Sequence, residues 1–72
     1  MLEKRVKIKL MLWEYDLKYS WLRLELKKQG VDVDKSSMYE IMSGRRCGEK
    51  AELVINSSLE ILKKYEKLFA NR

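Results

Sequence analysis

Histidine and proline are absent from this 72-residue chain, glycine occurs three times and cysteine once. Losing histidine removes the commonest general base and the commonest metal ligand. The lone Cys47 can form neither an internal disulfide nor a thiolate cage for zinc, and it suits a reducing cytoplasm. Its place after Arg45 and Arg46 favours a thiolate, but the plainer reading is an incidental loop cysteine. Long apolar runs are missing too: Leu10-Met11-Leu12-Trp13 is followed at once by Glu14, far short of a membrane span or signal peptide. With no proline, and glycine confined to Gly30, Gly44 and Gly48, the chain reads as helices punctuated at those points. A chain this short makes one domain, 1–72, with room for about four or five short helices and none for a deep cleft. The expectation is a non-enzyme that needs no cofactor, no metal and no small-molecule substrate.

Charge is what the chain has in quantity. Lys and Arg outnumber Asp and Glu by 16 to 11, a net charge of +5. Such a balance favours polyanionic partners, nucleic acid or an acidic protein surface. The excess is spread along the chain rather than gathered in a tail. Any phosphate-binding face must therefore be assembled by folding.

The N-terminal third carries two patterns at once. "VKIKLML" alternates apolar and polar residues, which alone reads as a strand. Yet Ile8, Met11, Leu12 and Tyr15 fall at helical spacing, and so do Leu2, Val6, Leu10, Trp13 and Leu17. No turn signal follows that would pair a strand with a partner. The reading is a helix over about residues 2–15 with a broad apolar face, its Met, Trp and Tyr placed in the core; an N-terminal strand is the alternative. A second helix runs from about Tyr19 to Gln29 on Trp21, Leu22, Leu26 and Gln29, with Leu17 and Leu24 widening the stripe. Gly30 stops it, Lys27 and Lys28 complement its dipole, and Asp16 or Ser20 supplies its N-cap.

Between Gly30 and Gly44 lies the segment with the most to say about function. Val31 and Val33 alternate with Asp32 and Asp34, so the connector is extended. Asp34 is a good N-cap, able to accept from the backbone N–H of Ser36 or Ser37. A helix Lys35–Ser43 follows, buried through Met38, Ile41 and Met42 and closed by Gly44 in a left-handed conformation. That arrangement leaves Lys35, Ser36, Ser37, Tyr39 and Glu40 facing outward near the helix start. Small polar and basic residues there are what a major-groove reading helix needs. Arg45 and Arg46, just past its end, are placed to clamp phosphates. The competing reading is a merely solvated face.

The last third has the clearest periodicity. Ala51, Ile55, Ser58, Leu62, Tyr65 and Phe69 step by alternating fours and threes, with Val54, Ile61 and Leu68 beside them. This predicts a long amphipathic helix over 49–70, broken in two near Asn56–Ser58 if Ser57 and Glu60 form a capping box. The stripe around Leu62, Tyr65, Leu68 and Phe69 exceeds what a short bundle needs, and is a candidate homodimer or partner contact. The fold class expected is all-α, a compact four- to five-helix bundle.

The order "LKYSWLRLEL…G…SSMYEIMSGRR" resembles the DNA-binding domain of lambda-repressor-like (Cro/repressor, XRE-type) helix-turn-helix proteins, closest to short regulators of temperate phages and prophages. Ser37, Met38, Ile41, Gly44 and Arg45 stand in register with the second half of that pattern, Leu17 and Leu22 with the first. The likeness covers about residues 6–55. It implies a helix-turn-helix with base-reading positions at Lys35, Ser36, Ser37 and Glu40. Phosphate-contacting positions would be Tyr19, Ser43 and Arg45. The chain departs from the pattern in three places: a turn about five residues longer, Arg23 where a small residue is preferred, and Lys18 where Ser or Thr caps. The resemblance implies a cytoplasmic, dimeric DNA-binding regulator of a phage or prophage switch, with double-stranded DNA as partner. The long turn, Asp32, Asp34 and Glu40 instead suit an antirepressor of the same fold, a modulator that docks on a co-encoded phage repressor.

Overall fold

Four helices make up the structure: α1 (Leu2–Glu14), α2 (Tyr19–Lys28), α3 (Lys35–Ser43) and α4 (Glu49–Ala70). The computed structural model describes residues 2–70, and side chains from 4 to 68. Among the described residues there is no strand, so "VKIKLML" settles as helix. A helix satisfies its own backbone, whereas a lone strand has no neighbour to bond.

Each of the first three helices ends in the same way. A residue in the left-handed conformation closes each one, and its own N–H and the one after it fold back onto the last turn. At α1 this residue is Asp16, with φ of 56°. Leu17 N–H donates to Leu12 O at 2.7 Å and Asp16 N–H to Trp13 O at 3.2 Å. Asp16 therefore closes α1 and does not cap α2, and Ser20 lies inside α2. The N-cap of α2 is Lys18, which makes no side-chain bond to the helix. Gly30 and Gly44 close α2 and α3 at φ of 84° and 87°. No atom lies within 4 Å of a Cβ placed at either one, so positive φ and not crowding demands glycine there.

The long helix organises the rest. At 22 residues, α4 is about 33 Å long and sets the longest dimension of the molecule, 37 Å. The other three helices all pack on it. Ala51, Val54, Ile55, Ile61 and Leu62 meet Ile8, Met11 and Leu12 of α1, Leu22 and Leu26 of α2, and Met38, Ile41 and Met42 of α3 in one core. Since α4 is continuous, there is neither a break at Asn56–Ser58 nor a capping box on Ser57 and Glu60. A break would pull Ile55, Ser58 and Leu62 off the core they jointly fill. Toward the end of the helix Tyr65 receives the ring edges of Tyr15 and Trp21, each at 5.4 Å.

Burial overturns one expectation and narrows another. Only one of α1's apolar stripes is inside. Ile8, Met11 and Leu12 are buried, while Val6, Leu10 and Trp13 face solvent, the indole of Trp13 82% exposed. A helix resting on one neighbour hides one arc of its surface, and α4 takes the Ile8 arc. The candidate dimer contact on α4 is used up in part. Leu62 is wholly enclosed and Tyr65 half-buried in the chain's own core, leaving Leu68 exposed. The Phe69 side chain lies outside the described residues.

Candidate nucleic-acid interface

The turn that positions α3 is long, and it is held at each step. Val31 and Val33 alternate inward and are buried. Val31 N–H donates to Leu26 O at 2.9 Å, and Arg23 Nε donates to Val33 O at 3.0 Å. The bulky residue at 23 and the lengthened turn thus account for each other: a small side chain there could not reach the extra carbonyl. Asp34 then opens α3 by accepting from Ser37 N–H at 2.9 Å. The hydroxyl and backbone N–H of Ser37, with Arg46 and Arg23 farther off, hold the Asp34 carboxyl below its ordinary range. At the other end Arg5 Nε, reaching over from α1, donates to Ile41 O at 2.7 Å. Both ends of α3 are anchored.

The outward face of α3 divides into an open half and a closed one. Lys35, Ser36, Tyr39 and Ser43 are exposed, as is Arg45 beyond the turn. Ser43 Oγ donates back to Glu40 O at 3.1 Å. The closed half is a cluster built by the Gly44 reversal, which brings Arg46 back over the helix. Its guanidinium pairs with Glu40 Oε1 at 2.6 Å and donates to Ser37 Oγ at 3.0 Å. Ser37, Glu40 and Arg46 were expected to face bases and phosphates. Instead they satisfy one another, because the Gly44 reversal brings the guanidinium within reach of both the carboxylate and the hydroxyl.

Beside α3 the surface dips into a groove of about 640 Å³ between the end of α1 and the start of α2. Leu12, Trp13, Leu17, Tyr19 and Tyr39 form its apolar walls, while Lys9, Lys18, Arg23 and Lys35 supply cations and no lining residue is acidic. Tyr19 meets Tyr39 edge-on at 5.4 Å, joining α2's first turn to α3's outer face. Burial, and after it the Tyr39 phenol, push the Tyr19 hydroxyl above its ordinary value, so it stays a neutral donor. Backbone N–H groups at the uncapped start of α2 add partial positive charge here. Lys9, Trp13 and Lys18 were not read as site residues. The missing cap at Lys18 was the one sequence signal for them, since a cation where Ser or Thr is preferred asks for another reason.

No protein-family model, no curated protein and no solved structure matches this chain. The likeness to helix-turn-helix regulators rests on the quoted residues alone.

Proposed function

We propose that this chain is a DNA-binding transcriptional regulator, of the phage or prophage kind, that reads the major groove with α3. The observation that carries this reading is the internal neutralisation of Glu40. It is the one carboxylate on α3, and Arg46 already holds it. A groove-facing helix can then approach phosphates without like-charge repulsion. Lys35 and Ser36 stand at the helix start with donors for base edges. Arg45, Lys18 and Lys9 are the phosphate-facing cations, and Tyr19, Tyr39 and Ser43 border the same surface.

The test is fluorescence anisotropy with duplex DNA across a salt series. Affinity should fall with salt, and Arg45→Ala should reduce the slope by about one phosphate contact for every sequence alike. Ser36→Ala should change which sequence is preferred. No duplex binding even at low salt would remove the reading. The apolar walls of the groove favour a second one, docking of an acidic segment of a co-encoded repressor. Under that reading Trp13→Ala, in the groove wall, leaves DNA binding unchanged and abolishes binding to the repressor.

A further inference from the structure

The outer face of α1 does nothing for the fold, yet it is apolar. Val6, Leu10 and Trp13 are 44%, 58% and 82% exposed, on the side opposite Ile8, Met11 and Leu12. Single exposed apolar residues need no explanation, but a helix apolar on two opposite faces does. We propose that this face is the seam of a homodimer, in which two copies of α1 pack antiparallel about a two-fold axis at Leu10.

Charge selects both the occupant and its direction. Lys7 and Glu14 are seven residues apart in α1, so they lie along one flank of the stripe. Neither forms an ion pair among the described residues. In an antiparallel pair centred on Leu10, Lys7 comes beside the partner's Glu14, and the symmetry axis makes the pair twice. In a parallel pair the two-fold axis would instead set this flank against the partner's opposite one, where Lys9 stands, so Lys7 would meet a lysine and not Glu14. The Trp13 ring would lie across the partner's Val6, an apolar contact that buries part of both. Lys9, the cation on the opposite flank, lines the groove with Tyr19 and Tyr39, and Trp13 stands where that groove meets the seam.

Size sets the strength. With 13 residues, α1 is about 20 Å long, so the seam falls below roughly 1,200 Å² in total, in the class of weak interfaces. A dissociation constant of about tens of micromolar suits it. The proposal uses no residue of α3, shares with the candidate interface only Trp13 at the groove's edge, and has a readout that needs no DNA, so its failure and that of the regulatory reading are told apart.

Sedimentation velocity of the full chain from about 5 to 500 µM spans the range such a seam needs. The expected result is a reversible monomer–dimer shift that Leu10→Lys abolishes, with circular dichroism and melting unchanged because Leu10 is outside the core. Lys7→Glu alone and Glu14→Lys alone should each weaken the dimer by about threefold or more, and the double swap should restore it. A chain that stays monomeric throughout overturns the proposal. So does a dimer indifferent to Leu10→Lys, or a double swap that fails to restore. Vesicles of phosphatidylserine and phosphatidylcholine supply the remaining arm. A blue shift of tryptophan fluorescence on them, from a chain that stays monomeric and lost on Trp13→Ala, would assign the face to a lipid surface instead.

Discussion

Ser58 is a hydroxyl in the wrong company. It is fully buried on α4, and its Oγ has no hydrogen-bond partner. A buried polar group left unpaired costs about 1–3 kcal/mol. Ser58→Ala should therefore raise stability by about 1–2 kcal/mol in urea unfolding, helped by alanine's better helix propensity. A loss of stability would mean the hydroxyl is satisfied after all. Asp34 is the opposite case, an exposed carboxylate with a task. Ser37 holds its carboxyl below the usual value, so the cap contributes fully above the unfolded pKa and is lost as pH falls through the folded one. The stability advantage over Asp34→Asn should thus persist at neutral pH and close progressively below about pH 4. Paired thermal melts over that range measure it, and a gap that widens on acidification would contradict the assignment.

Among the elements, α3 is the one whose placement matters most. Ile41 has no exposed surface and belongs to the helix that packs on both α2 and α4. Truncating it to alanine should cost about 2–5 kcal/mol in chemical denaturation, as buried truncations do. A change below about 0.5 kcal/mol would mean α3 is not docked on the core. The start of α2 poses a different question. Lys18 has the extended backbone of an N-cap, φ −113° and ψ 161°, without a capping side chain. Lys18→Ser should add about 1 kcal/mol of stability. If the DNA reading holds, it should also weaken duplex binding, since the position gives up a cap to hold a cation. The termini of α3 were legible in advance, because Asp34 and Gly44 act locally and need nothing but their own neighbours. The same holds for α4, whose stripe is long enough to leave no choice of period. What was not legible required knowing where another element lies. Val6, Leu10 and Trp13 repeat at the same spacing as Ile8, Met11 and Tyr15, so periodicity alone cannot say which set turns to α4. Arg46 meets Glu40 across a glycine reversal, outside any helical repeat, which is why the closed half of α3's face was read as open.

At the scale of the whole molecule, the arrangement has a single common partner. Each of α1, α2 and α3 packs on α4, and α2 packs on α3 as well. A fragment spanning residues 1–48 should therefore show no cooperative thermal transition, and a peptide spanning 49–70 should restore helicity when added in trans. Cooperative melting of the fragment alone would show that α4 is dispensable. Chain order turns this dependence into a matter of timing. The residues that meet α4 are all made before it, and synthesis of its 22 residues takes about one to four seconds at ordinary translation rates. During that interval Ile8, Leu22, Leu26 and Ile41 are exposed on a growing chain with nothing yet to cover them. Synonymous changes that slow translation through α4 would lengthen that exposure without altering the finished molecule at all.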